Sequence, residues 1–219
     1  LNSIQGCSEE IAALESKLRQ AEQEMKALAT KIHDMREGAQ ALLCDEMKRL
    51  LVGLGIKHAE FVVELVALEH FTPTGCDDVR FLFSANKNQQ PGEIAKVASG
   101  GEISRVMLAL KYVLSGSKQL PVIVFDEIDT GLSGEVAHRM AQMMKEMATR
   151  MQVISISHLP QIAAAGDCHF KVYKEDNQDF TISHIRKLSY DERVKEIAGM
   201  MSGEEISVAA LEAAQNLLK

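Results

Sequence analysis

The hydrophobic pattern of this chain changes period near residue 51. From Ile4 onward the apolar positions run Ile4, Cys7, Ile11, Leu14, Leu18, Ala21, Met25, Leu28, Ile32, Met35, Ala39 and Leu42. The steps alternate strictly between three and four residues over more than five heptads, and Glu, Lys, Gln and Arg fill the positions between. This spacing keeps a narrow seam turned toward a partner helix and predicts a coiled-coil arm over residues 1–50. A helix packed on its own globular domain would carry a broader apolar stripe than two positions in seven.

Gly53 and Gly55 punctuate the change, and a compact domain is predicted over 51–219. Residues 61–68 and 79–83 are β-branched and apolar, with Thr72, Pro73, Gly75 and Asp77 marking a turn between two paired strands. Residues 122–125 and 153–156 are short apolar runs, each followed by polar residues and then a helical pattern, as in buried strands of a parallel sheet. Between them Met140, Met143, Met144, Met147 and Met151 repeat at helical spacing and are read as core packing. Residues 170–173 and 180–185 predict a hairpin turning around Asn177, and helices starting at Asp191 and about Ser207 close the chain.

Composition narrows the picture. With 219 residues, 46% hydrophobic and 25% charged, the chain buries a sizeable core and is globular rather than disordered. No apolar run reaches the roughly 18 to 20 residues that cross a bilayer, and no secretory leader opens the chain, so a soluble cytoplasmic protein is expected. Leu1 falls inside the heptad repeat, as in a piece excised from a longer protein. Cys7, Cys44, Cys76 and Cys168 form no C-x-x-C pair and are expected to be reduced thiols. A net charge of -7 argues against a broad nucleic-acid footprint, so any DNA contact is local or lies elsewhere.

Three segments carry candidate chemistry. KVASGGEISR at 96–105 leads into an apolar-periodic helix through Val106, Leu108, Ala109, Leu110 and Val113. Ser99 sits where an N-cap belongs and Glu102 completes a capping box, which an ordinary helix start explains. Gly100 and Gly101 go further: they let the backbone approach a ligand and expose amides at the positive end of the helix dipole, which suits a terminal phosphate. VIVFDEIDTGLSG at 122–134 is an apolar strand ending in Asp126 and Glu127. One carboxylate there can hold Mg²⁺ and the next can orient or deprotonate an attacking water. The polar turn at 129–133 is either a plain loop or a contact with a second subunit. VISISH at 153–158 ends a second strand in His158, which can hydrogen-bond a γ-phosphate or the attacking water.

Glycine-rich helix start, acidic strand end and strand-terminal histidine follow one another within about 60 residues, an order that resembles the C-terminal lobe of ABC-type ATPases. KVASGGEISR is similar to the signature motif of the RecN family of bacterial SMC-like DNA repair ATPases. FDEIDTGLSG and ISISHLPQIAAAGD resemble its Walker B, D-loop and switch segments, and RVKEIAGMMSG fits its tail. The resemblance covers about residues 60–219, and the heptads resemble the returning arm of the family's antiparallel coiled coil. Transporter ATPases usually carry Glu-Pro-Thr after the first acid, whereas Glu127-Ile128-Asp129 stands here.

The resemblance implies an α/β fold, the C-terminal lobe of an ABC/SMC-type head with a parallel-sheet core behind a long coiled-coil helix. It implies Asp126 on Mg²⁺, Glu127 as catalytic base and His158 as switch residue. Ser99, Gly100 and Gly101, with Glu102, would meet the γ-phosphate of ATP held by a second head. Asp129 and Ser133 would belong to a D-loop facing the opposite subunit, and Arg105 would support that contact in trans. The implied partners are an N-terminal P-loop half of the same protein, a second head on ATP binding, DNA and the recombinase RecA, in a nucleoid-associated cytoplasmic setting with no membrane. No G-x-x-x-x-G-K-[ST] run occurs in the chain, so alone it is expected to hydrolyse no ATP. Two other classes share parts of the pattern: a transporter-type nucleotide-binding lobe, and a non-enzymatic coiled-coil interaction module.

Overall fold

The computed structural model describes the chain except residues 1, 118, 119, 130, 131, 133, 177–179 and 204. It folds as two compact units: Leu1–Lys48 with Ala59–Val97, and Arg49–His58 with Ala98–Lys219. The division expected at residue 50 therefore falls elsewhere, because residues 59–97 associate with the arm helix rather than with residues 98–219. No helix among the described residues is long and apolar enough to cross a membrane.

In the first unit, α1 (Asn2–Gly53) runs 52 residues, about 78 Å at 1.5 Å per residue, its last residues belonging to the second unit. β1 (Glu60–Thr72) and β2 (Gly75–Ser84) form an antiparallel hairpin that β3 (Gly92–Glu93) extends, and α2 (Ile94–Val97) comes next. Phe61 pairs with Phe83 and Val63 with Phe81; Phe61, Val63 and Phe83 are buried, and Phe61 stacks on Phe81 with ring centroids 5.8 Å apart. Both strands outrun the apolar stretches read from sequence, since their far ends alternate polar and apolar residues and are half solvated. At the turn, Gly75 takes φ +106°, a left-handed value that a side chain would strain, close to Ile32 of α1.

The helix grips this hairpin along one face. Ala29 is buried beside Leu68 and Phe71; His33 Nδ1 lies 2.8 Å from Asp77 Oδ1, and Arg36 donates to Asp77 Oδ2 at 3.0 Å and to the Thr74 carbonyl at 2.8 Å. Gln40 donates to the Val63 carbonyl. The heptad seam is a different face. Leu28 and Met35 each precede a packed residue by one position, which sets them about 100° around the helix. Ile11, Leu14, Leu18, Met25, Leu28, Met35 and Leu42 all remain exposed, Leu42 to 75%. The arm is thus both a helix docked on its own hairpin and a helix with an open seam.

The second unit includes the end of α1 and the turn that closes it. Gly55 takes φ +85°, its amide donates to the Val52 carbonyl, and the Ile56 amide donates to the Leu51 carbonyl. This pair of bonds is a Schellman closure with Gly55 at its left-handed position and Leu51 and Ile56 buried. A Cβ on Gly55 would lie 2.9 Å from the Val136 side chain, so both backbone and packing demand glycine. After α3 (Gly100–Ser117), β4 (Val122–Asp126) and β5 (Gln152–Ile156) pair in parallel, joined by α4 (Gly134–Ala148). Met140, Met143, Met144, Met147 and Met151 are buried, as their spacing predicts. α5 (Pro160–Ala165), the antiparallel pair β6 (Phe170–Asp176) and β7 (Thr181–Lys187), α6 (Tyr190–Ser202) and α7 (Val208–Leu217) complete the unit; the turn at Asn177 lies outside the described residues. Ala164, Val194, Ile197, Ala198, Ala210 and Ala214 form a core joining α5, α6 and α7. Cys44, Cys76 and Cys168 are free thiols.

The hydrogen bond to Asp77 raises the pKa of His33 above 6.5, and the bonds from His33 and then Arg36 lower that of Asp77 below 3.8 against the effect of burial. A raised histidine stabilises fully below 6.5 and loses its share as pH rises through the shifted value; a lowered aspartate stabilises fully above 3.8 and loses its share as pH falls below it. The pair therefore contributes most between those values. In urea unfolding, the stability advantage of the wild type over His33→Gln is expected to be largest at about pH 5.5 and to shrink by about pH 8.5. An advantage that does not vary with pH would show that the contact carries no charge.

Candidate functional site

Parallel pairing sets the strand ends side by side. Asp126 closes β4 opposite Ile156, the last residue of β5, and is exposed. The next amide, that of Glu127, donates to the Ile156 carbonyl at 3.0 Å and so extends the ladder by one bond. Glu127 does this at φ +47°, the one left-handed non-glycine among the described residues, and is itself exposed. Such a conformation costs on the order of 1–3 kcal/mol and persists where surrounding structure holds it, commonly at functional sites.

Two residues further on the chain turns inward. Asp129 is 1% exposed. Its Oδ2 accepts the Ser157 hydroxyl, while Oδ1 has no hydrogen-bond partner and lies 3.8 Å from His158 Nδ1. The His158 side chain is 63% exposed. Ser157 Oγ also accepts from the Leu159 amide at 3.0 Å, tying the loop before α5, whose first residue Pro160 fits the helix start with its fixed φ. At the far end of α5, Arg193 of α6 donates to the carbonyls of Ala164 and Gly166. His158 is thereby held between a strand and an anchored helix.

The start of α3 forms a second group. The Glu102 carboxylate accepts both the Ser99 amide and the Ser99 hydroxyl at 2.8 Å, and the Ile103 amide donates to the Ser99 carbonyl at 2.9 Å. A Cβ at Gly100 would meet nothing within 4 Å, so the chain's own packing does not require glycine there and the backbone is open to approach. Arg105 bonds within its own unit. Its Nε donates to the Gly101 carbonyl at 3.1 Å and its Nη1 to the Leu54 carbonyl at 3.2 Å, which ties α3 to the end of α1.

The structure thus gathers Asp126, Glu127, Asp129 and His158 at two neighbouring strand tips and sets Ser99, Gly100, Gly101 and Glu102 at a helix start in the same unit. Asp129, expected to face an opposite subunit, is buried against its own chain because Ser157 supplies a hydroxyl at the end of β5. Ser133, with Thr130 and Gly131, lies outside the described residues. Sequence reading missed Ser157 and Arg193; the serine directly preceding His158 was the one available signal. No group of three or more His, Cys, Asp or Glu among the described residues could hold a metal by itself. Asp126, one open carboxylate, suits a Mg²⁺ that takes one or two carboxylates and completes its shell with phosphate oxygens and water.

The fold has solved counterparts. A chain from work on the ATP-driven dimerization and DNA-stimulated activation of SMC ATPases superposes with a TM-score of 0.53 at 19% identity, over 80% of this chain and 99% of that one. The class is therefore that of SMC ATPase folds. Residues 10–181 match the family described as the RecF/RecN/SMC N terminal domain, and the chain belongs to that family. It is 34% identical to DNA repair protein RecN of Haemophilus influenzae over its whole length, and 39% identical to that of Deinococcus radiodurans over 96% of its length. It spans 39% of the length of each of these relatives. The family description names an N-terminal domain and so lends no support to the C-terminal placement expected from motif order.

The left-handed turn at Glu127 has a measurable consequence. Glycine there is expected to give a more stable chain than alanine by about 1 kcal/mol in denaturant unfolding, the reverse of the usual order. Alanine equal to or better than glycine would show that position 127 is unstrained in solution.

Proposed function

We propose that this chain is the signature-bearing lobe of an SMC-like ATPase head acting in DNA repair, completing an ATP site only when a P-loop-bearing lobe closes on it. The observation that carries this reading is the parallel pair β4–β5. Ile123 and Phe125 bury one face of β4, while the opposite face of the pair presents Val122, Val124, Ile154 and Ile156, with Val124 54% and Ile156 52% exposed. Parallel sheets are covered on both faces, so this face calls for another layer. It ends at Asp126, and a covering lobe would lie beside the acid pair.

The lobe is defined by what it carries and what it lacks. Signature, acid pair and histidine come in the order of the C-terminal half of an ABC-type head, and no P-loop occurs in 219 residues. Bound Mg²⁺–ATP would supply the transferable phosphoryl group. Toward it, Asp126 would hold the cation, Glu127 would orient the attacking water and take its proton, and His158 would contact the reacting end. The open backbone at Gly100, with Gly101 beside it and braced by Ser99 and Glu102, would donate amides to the γ-phosphate of ATP seated on a second head. Heads would thus dimerise on ATP binding. Through the arm, hydrolysis would change how DNA is held, in a cytoplasmic, nucleoid-associated protein that meets the recombinase RecA.

Mg²⁺-dependent ATP hydrolysis is expected only when the chain is mixed with a separately produced P-loop lobe, and Glu127→Gln in the mixture is expected to lower kcat by at least about 100-fold. Hydrolysis by the chain alone would defeat the split-site reading; a folded but inactive mixture would favour a non-enzymatic interaction module.

The exposed seam at Ile11, Leu14, Leu18, Met25, Leu28, Met35 and Leu42 supports a helical partner, which in the intact protein would be the outgoing arm. Lacking that arm, two copies of this chain are expected to pair through their seams. Sedimentation should then reveal a concentration-dependent dimer that Leu18→Glu with Leu28→Glu dissociates, and a monomer at every concentration would reject such pairing.

A further inference from the structure

We infer that Asp129 is a positioning residue for His158, fixing which ring nitrogen faces the reacting end of the site; this rests on the ATPase reading above. Asp129 is fully buried, and a buried carboxylate is costly unless its oxygens find donors. Ser157 satisfies Oδ2. Oδ1 is left without a hydrogen bond, and the imidazole of His158 stands over it with Nδ1 3.8 Å away.

That distance is just beyond a hydrogen bond, and a small turn of the exposed ring closes it. The acceptor cannot move to meet the ring, because the same serine hydroxyl that holds Oδ2 is itself pinned by the Leu159 amide at 3.0 Å. A carboxylate only accepts. A neutral imidazole beside Oδ1 must therefore carry its hydrogen on Nδ1, and Nε2, on the exposed side, presents a lone pair. The sequence leaves His158 two roles, a donor to phosphate or an acceptor from water. The Asp129 geometry selects the second: Nε2 takes a hydrogen bond from the attacking water, whose other proton passes to Glu127. The serine, the aspartate and the histidine act as one tier behind the acid pair, in the way outer-tier partners fix the orientation of a working imidazole.

The test has two independent arms. Long-range ¹H–¹⁵N correlation spectra of the imidazole nitrogens, recorded on the 219-residue chain at about pH 8 where an ordinary histidine is neutral, report the tautomer directly; His158→Gln identifies the resonance. The wild type is expected to show His158 protonated on Nδ1, and Asp129→Asn to shift it toward Nε2. An Nε2–H ring in the wild type, or a tautomer that Asp129→Asn does not change, overturns the inference without reference to ATP. In the chain mixed with a P-loop lobe, Asp129→Asn is expected to lower kcat about 10- to 100-fold with KM for ATP unchanged. An unaltered kcat overturns the role assigned to Nε2. A mixture with no activity at all indicts the ATPase reading, while the spectra still decide the contact between Asp129 and His158.

Discussion

The register of β4 against β5 is the constraint on which the chemistry of this chain depends. Two strands far apart in sequence run the same way because α4 carries the chain back, and their ends emerge together. Asp126 lies opposite Ile156, the Glu127 amide takes the Ile156 carbonyl, and only then do Asp129 and Ser157 meet. A slip of β4 by one residue would turn Ile123 and Phe125 outward and Asp126 inward. It would also strand Asp129 in the interior without its serine. The methionines of α4 are buried, and thioethers suit the filling of irregular interior space.

Several local costs collect at these tips. Glu127 is left-handed, Asp129 keeps one oxygen without a donor, and the apolar face of the pair stands open. None of these improves the lone chain, and all three concern the same few residues. Stability is drawn from elsewhere in the unit: the closure at Gly55, the α5–α6–α7 core, the Arg193 anchor and the full capping box at Ser189 and Glu192. The Glu192 carboxyl is held to about 2 by the Ser189 amide and then by Arg186, so this cap stays charged throughout ordinary pH. The unit is thus well closed on one side and strained on the other.

Much of this was legible in the sequence, and the exceptions share a cause. The long first helix, all three strand pairs, the methionine core and the acid pair were visible because each is a local pattern of period or composition. What escaped depends on where a side chain goes after the fold forms. Asp129 and Arg105 sit in polar segments beside Glu127 and Gly101; polarity left their direction open, and the family resemblance implied a contact with a second subunit. Each instead found an internal partner distant in sequence, Ser157 and the Leu54 carbonyl respectively. The hairpin of the first unit was read too short for a related reason: beyond its apolar centre the strands mix polar and apolar residues across a register shift between Ala67 and Thr72, so the apolar run ends before the strands do.

The arm illustrates how one helix can serve two surfaces without conflict. A strict heptad drifts by about 20° per repeat relative to a straight α-helix, so a seam that stays on one line must wind around the helix axis. Along α1 this winding carries Leu28, Met35 and Leu42 progressively away from the face that grips the hairpin, and Leu42 is the most exposed of the series. The gripping face uses the neighbouring positions Ala29, His33, Arg36 and Gln40, and its bonds are mostly polar and directed. The seam is apolar and undirected. Apart from Ile32, which lies against Gly75 at the hairpin turn, the two faces use different residues.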